Sequence, residues 1–339
     1  MTALKWGLIG ASDIAATRVV DAIRSSGGNV TGVVSGSGGR ARAFAERCGL
    51  PQSTASLDEL LGWDIDAVYI SSTNDLHFDQ ACRALNAGKH VLCEKPLALD
   101  TEGAATMVRL AERLGLTLAA NHHLPGSPLH VKVRELVAGG AIGTVLSAKI
   151  AHAVLLPERL RGWRVGRSTP GSGVILDITC HDASVLNPLL GTPVSVAAQA
   201  VQQAGWNTGG PADAAMTVIR YERDGHPPVL AQTHDSFTVG YAPTSLEVHG
   251  TAGSITVADA MTQDTQGQVI LTTALGSRPV EIDCSEDLYA IGLRAFTNAV
   301  NGTGRPTATG LDGLMALKVA LAAQESAATG HTVHINHKR

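Results

Sequence analysis

The chain has 339 residues, 44% of them hydrophobic and 17% charged, which at roughly 150 residues per domain makes about two folded domains and excludes a disordered or disulfide-stapled chain. Its 26 basic and 30 acidic side chains leave a net charge of −4, and 4% are aromatic, so there is neither a field for phosphate backbones nor a set of stacking platforms for bases; nucleic acid is not expected as a partner. Five cysteines, an odd count without a C-x-x-C pair, fit a reducing cytoplasm, and no leader or membrane segment is expected, since the long uncharged stretch 185–212 is broken by Pro188 and Pro193.

Short apolar runs at 4–9, 30–35, 67–71, 90–93 and 117–120 read as buried strands, and the segments between them carry apolar residues at three- and four-residue spacing, as helices do. Strand and helix in alternation predict a doubly wound parallel sheet. The rhythm changes where Pro125, Gly126 and Pro128 cluster, which divides an N-terminal domain, 1–124, from a second domain, 125–339. A helix at 129–138, a long strand at 144–156 and a helix at 175–190 come next. Strand-like runs at 194–201, 214–221, 229–237, 245–249, 254–258 and 268–273 then follow without helices between them. That order predicts an α/β chain whose second, α+β domain holds a large, mainly antiparallel open sheet, closed by helices at 287–300 and 311–328.

The first strand runs into Gly7-Leu-Ile-Gly10-Ala-Ser12-Asp13-Ile14-Ala15, with Gly10 and Ala15 at the first and third positions of G-x-G-x-x-G/A. A dinucleotide needs small residues here, because the backbone turns sharply against the pyrophosphate and a helix N-terminus stabilises its charge. Ser12 stands where the second glycine is usual; it is small, and its hydroxyl is a potential donor to a phosphate oxygen. The second strand ends in Val34-Ser35-Gly36-Ser37-Gly38-Gly39-Arg40, with none of the acids that hold a free ribose 2′-hydroxyl. Ser35 can hydrogen-bond a 2′-phosphate and Arg40 can pair with it, so the expected cofactor is NADP, as NADPH, rather than NAD.

Three segments carry reactive side chains. His90-Val-Leu-Cys93-Glu94-Lys95-Pro96 puts Glu94 and Lys95 at the carboxyl end of a parallel strand, where open α/β sheets bind ligands. Asp177 and His181 are four apart on a helix and share a face. His122 and His123 follow the last strand of the first domain. No His-x-x-x-His or C-x-x-C spacing supports a metal, and none is expected. Cys93 reads as a buried hydrophobe, and Tyr289 as packing. Trp163 and Arg164 lie in a Gly- and Arg-rich loop of the kind that lids a site.

The segment 7–15, Ser71-Ser72-Thr73-Asn74-Asp75-Leu76-His77, Glu94-Lys95-Pro96 and the segment 173–181 stand in the order and spacing of one family, and over nearly its whole length the chain resembles the Gfo/Idh/MocA oxidoreductases. Its loops look most like those of an NADPH-dependent reductase of an anhydro-keto sugar within that family. The resemblance implies that Lys95, Asp177 and His181 are catalytic and that Ser35 and Arg40 hold the 2′-phosphate. It implies that Gly10, Ser12, Asp13, Ile14, Ser72, Thr73, Asn74, His77, Glu94, Lys95, Trp163 and Arg164 line the cofactor. Lys95, His122, His123, Trp163, Asp177 and His181 would meet a small polyhydroxylated ketone or sugar, and the second sheet would make a homo-oligomer. Ketone reduction needs a proton donor with a pKa near working pH, which suits His181, with Lys95 as the rival. A sugar, inositol or dihydrodiol dehydrogenase working toward oxidation, and a catalytically silent nucleotide-bound regulator, remain the alternatives.

Overall fold

The computed structural model describes residues 3–166, 170–283 and 285–337, so Cys284 and Arg167 lie outside the described residues. The chain forms two units, Met1–His123 with Glu286–Leu314, and Leu124–Ser285 with Met315–Arg339.

In the first unit, β1 (Lys5–Ile9), β2 (Asn29–Val34), β3 (Gln52–Thr54), β4 (Ala67–Ile70), β5 (His90–Cys93) and β6 (Leu118–Ala120) pair in parallel in the order β3-β2-β1-β4-β5-β6. The helices between them are α1 (Val20–Ser25), α2 (Gly38–Cys48), α3 (Leu57–Leu61), α4 (His77–Asn86) and α5 (Thr101–Leu114). Parallel strands need such crossovers and are covered on both faces, which is why β4 reads Ala-Val-Tyr-Ile and is buried throughout. Local chemistry sets the helix ends. Ser37 and Asp100 accept hydrogen bonds from the N–H groups of Arg40 and Gly103, and Gly49 and Gly115 close α2 and α5 in the left-handed conformation. The winding reverses between β1 and β4, and ligands bind beyond the carboxyl ends of strands at such a point.

The second unit holds α6 (Pro128–Ala138), β7 (Val145–Ala153), a single turn α7 (Arg161–Arg164), α8 (Cys180–Leu190), β8 (Thr192–Val201), β9 (Ala214–Glu222), β10 (Val229–Ser236), β11 (Ser245–Gly250), β12 (Gly253–Ala258), β13 (Gln268–Thr273), β14 (Gly276–Val280) and β15 (Val333–His334). The sheet order is β14-β13-β12-β11-β7-β10-β9-β8-β15, antiparallel except where β7 and β10 run parallel. On β9 Thr217, Ile219 and Tyr221 face inward while Met216 and Val218 stay exposed, the alternation of a half-covered sheet. Helix α8 packs on β7 and β10, preceded by one π-helical turn, Ile175–Thr179.

The parallel first sheet and mainly antiparallel second sheet are those predicted. Position along the chain assigned residues 287–300 to the second domain, yet α9 (Leu288–Val300) packs in the first unit. Its Leu293 and Phe296 complete the core around Trp6, with the Trp6 and Phe296 rings 5.2 Å apart. Helix α10 (Gly310–Thr329) follows. Strands β3, β14 and β15 were not expected; β14 reads Gly-Ser-Arg-Pro-Val on an exposed edge, where proline is tolerated and no hydrophobic alternation is required. Among the described residues no helix is long and apolar enough to cross a membrane.

Candidate active site

Gly10 follows β1 at φ +108°, a backbone region that side chains rarely enter, and a Cβ there would come within 2.7–2.9 Å of the Ser71 and Ser72 backbone after β4. The two strand ends therefore meet at a glycine, and the cradle between them stays open to a phosphate. Ser12 behaves differently from the expectation: its hydroxyl donates to Ser71 Oγ at 2.7 Å and accepts from Ala15 N at 3.2 Å. Its proton is thus used within the turn, which leaves backbone N–H groups as the donors suited to a pyrophosphate. Asp13 is exposed, and Ile14 packs on the core. At the end of β2, Ser35 is buried and the Arg40 guanidinium folds back over the loop, 3.9 Å from where a Gly36 side chain would begin. A serine and a cation stand at this edge, and the segment 35–40 carries no acid.

Beyond β4, Ser72 donates to Gln80 Oε1, Thr73 precedes a short turn, and Asn74 is buried. His77, which the resemblance places along the cofactor, is fully buried. Its ring spans two loops, Nδ1 lying 2.8 Å from the Pro96 carbonyl and Nε2 3.2 Å from that of Ser72. Burial holds its pKa below the usual histidine value, so it is neutral and donates to one carbonyl at a time. At the end of β5 the Lys95-Pro96 peptide is cis. Glu94 Oε1 accepts from Tyr69 Oη at 2.6 Å and from Asn121 Nδ2 at 2.7 Å. Burial and the Glu94 charge push the Tyr69 phenol far up, so it remains a donor and fixes the carboxylate beside Lys95. His122, after β6, is buried and pushed down to about 3 by burial, then by Lys95 and His123, and is a neutral imidazole. His123 stacks on Tyr289 at 5.3 Å; Tyr289 itself belongs to the core.

The second unit gathers another group of reactive side chains on the π turn and α8. Asp177 and His181 are both buried. Arg164 donates from Nε to Asp177 Oδ2 at 2.8 Å and lies over the Trp163 ring at 4.6 Å. Arg164, expected to line the cofactor, is in this structure the clamp that orients Asp177 and stacks Trp163. Arg161 lies in turn over Trp206 at 4.1 Å. His181 lies beside the His152 ring, centroids 6.2 Å apart, and His152 Nδ1 is 2.7 Å from Asp182 Oδ1. Asp235, opposite His152 on the neighbouring strand, accepts from Thr179 and Thr233 on Oδ2.

Sequence reasoning missed the roles of His152, Asp182 and Asp235. The available signal was an aspartate on the inward phase of β10, in line with Val229, Ala231 and Thr233. Both carboxyls are wholly buried, and burial raises Asp182 to about 7; burial, then Asp182, raises Asp235 well above the carboxylate range. A group raised in the folded state stabilises the fold below its unfolded pKa and loses that contribution as pH climbs toward the folded value. The pair therefore opposes folding increasingly from about pH 4 to pH 7 and beyond. Asp235→Asn, which keeps the shape and removes one ionisation, should raise the melting temperature relative to wild type by about 2–4 °C more at pH 8 than at pH 5, roughly 1 kcal/mol for a unit of this size. Calorimetry at both pH values checks this; an equal effect at both refutes the assignment.

Residues 4–122 match the oxidoreductase family with an NAD-binding Rossmann fold, GFO_IDH_MocA, and residues 130–256 match the GFO/IDH/MocA C-terminal domain. The chain belongs to this family of nicotinamide-dependent oxidoreductases. It is 44% identical to 1,5-anhydro-D-fructose reductase of Ensifer adhaerens over 98% of both chains. With D-xylose 1-dehydrogenase (NADP(+)) 2 of Haloferax volcanii it shares 29% identity over 98% of this chain and all of the relative. Among solved structures, a 3-ketoreductase from Actinomadura kijaniata in complex with NADP and TDP-benzene matches with a TM-score of 0.83 and 26% identity, over 96% of this chain and 98% of the other.

Proposed function

We propose that the protein is an NADPH-dependent reductase acting on the ketone of a small, sugar-like substrate of the 1,5-anhydro-D-fructose type. The observation that carries this is the end-to-end similarity to a reductase at 44% identity, over 98% of both chains. The bound nicotinamide supplies the hydride. Lys95, held beside the carboxylate of Glu94, polarises the carbonyl oxygen and positions the substrate. His181 gives a proton to the oxygen as negative charge develops there. Asp177, kept in place by Arg164, accepts hydrogen bonds from substrate hydroxyls. The neutral imidazole of His122 and the stacked ring of His123 give the substrate hydroxyls acceptors and a flat wall. In the oxidative direction, the sense in which the Haloferax relative is named, His181 takes the proton instead.

Ser35 and Arg40 support NADPH over NADH. Arg40→Ala should raise KM for NADPH about tenfold and leave KM for NADH nearly unchanged, since a charge-assisted hydrogen bond contributes about 1.5–3 kcal/mol and an exposed one stands at the low end. Steady-state kinetics with both cofactors across a panel of keto sugars tests the whole reading. Wild-type turnover as efficient with NADH as with NADPH would reject the cofactor assignment, and no turnover on any keto sugar would reject the reaction. Self-association through the second sheet belongs to the same reading, supported by the apolar side chains Met216, Val218 and Leu230 on its open face. A cytoplasmic site of action accords with Cys48, Cys82, Cys93 and Cys180, none of which forms a disulfide among the described residues.

A further inference from the structure

The carboxylate of Glu94 is held from both sides of its strand. Glu94 N donates to Ile70 O at 2.8 Å and Asn121 N to Cys93 O at 2.7 Å, so the ladders of β5 with β4 and β6 run one residue past the strands and fix both backbones. The hydroxyl of Tyr69, wholly buried in β4, reaches Glu94 Oε1 at 2.6 Å, and Nδ2 of buried Asn121 reaches the same oxygen at 2.7 Å. Two donors on one oxygen are the pattern of an ionised carboxylate, which only accepts. Oε2 takes no hydrogen bond from the described residues, and Glu94 is half-buried at the carboxyl end of β5. One oxygen is thus committed to the scaffold, and the other is left to accept from a ligand.

In a doubly wound sheet each half takes one mononucleotide of the cofactor. Ser35 and Arg40 follow β2, in the half made by β1, β2 and β3, so β4, β5 and β6 make the half suited to the nicotinamide nucleotide. A nicotinamide ring is neutral when reduced and positive once its hydride has left, and an anion fixed in that half favours the oxidised form. We propose that Tyr69 and Asn121 are positioning residues that hold the Glu94 carboxylate as a fixed counter-charge to the oxidised ring, and so favour release of the hydride. The proposal rests on the nicotinamide cofactor of the reading above and applies with or without its 2′-phosphate. Glu94 neither gains nor loses a proton as hydride, with its electron pair, passes from ring to carbonyl carbon; it offsets the charge that the transfer leaves on the ring.

Calorimetric titration of the full chain with NADP+ and with NADPH gives the ratio of their dissociation constants without turnover. Tyr69→Phe removes one donor and keeps the ring; it should weaken NADP+ binding about threefold to tenfold and NADPH binding by less than about twofold, the range for one hydrogen bond. Asn121→Ala should move the ratio in the same direction. Glu94→Gln keeps an acceptor for both donors and removes the charge, so it should shift the ratio further. Lys95 keeps its charge in every variant, so the comparison isolates Glu94. In the Glu94→Gln background, Tyr69→Phe should leave the ratio where it is, because its effect passes through the carboxylate. Equal losses for the two cofactor forms, or a shift by Tyr69→Phe that persists in the Glu94→Gln background, would make the contact merely structural and overturn the proposal. Should Tyr69→Phe fail to fold, Asn121→Ala carries the same comparison in both backgrounds. If the wild type binds NAD+ and NADH instead, the 2′-phosphate assignment fails and the ratio is read with that pair by the same criteria. A wild type that binds neither pair overturns both.

Discussion

His181→Ala should lower kcat for ketone reduction by about a hundredfold or more while KM changes little, the range typical for removing a general acid. The argument is electrostatic. Hydride arriving at a carbonyl carbon leaves an alkoxide, and an alkoxide in a water-poor site is costly unless a proton arrives with it. Histidine, with an unperturbed pKa of about 6.5, supplies that proton near neutral pH at a smaller thermodynamic mismatch than a lysine near 10.4. The two candidates differ in the pH profile as well as in the rate. A proton donor must be protonated to act, so the rate falls as pH rises through its pKa. His181→Ala should erase that alkaline limb, whereas Lys95→Ala should slow the reaction and keep it. A His181→Ala enzyme with its rate and limb intact would assign the proton to another group.

Much of this architecture is legible in the residues because single-element physics determines it. Gly10 is a glycine since nothing larger fits between two strand ends, and the buried run Ala67–Ile70 is apolar since both its faces are covered. Asp177 and His181 are visible as a pair on one helix. The supporting groups are hidden for a physical reason. His152 and Asp235 are 83 residues apart and become neighbours through the register of β7 against β10, a tertiary fact that no local pattern encodes. The same holds for Arg164, whose charge reads as solvated in a loop until a π turn brings Asp177 to it. It holds again for α9, an amphipathic helix whose sequence specifies an apolar face and leaves open which core that face completes.

Gly10→Ala should weaken NADPH binding by about a hundredfold, a cost of roughly 2–3 kcal/mol at 1.4 kcal/mol per tenfold. Two effects combine. A φ of +108° is a strained region for any residue with a side chain, costing on the order of 1–3 kcal/mol. The added methyl would also stand 2.7 Å from Ser72 N and 2.8 Å from Ser71 C, which are backbone atoms that cannot rotate away. Relief requires the ends of β1 and β4 to separate, and that movement breaks the Ser12–Ser71 hydrogen bond holding the phosphate turn. Gly88→Ala is the control that divides the two effects. Gly88 has φ +75° with nothing within 4 Å of the new methyl, so its substitution should lower stability by about 1 kcal/mol and leave cofactor affinity alone. Fluorescence titration with NADPH measures both variants. Equal affinities for wild type and Gly10→Ala would mean that the turn after β1 is not the pyrophosphate cradle, and with it would fall the placement of Ser35 and Arg40 at the 2′-phosphate, because both lie one strand away from that turn.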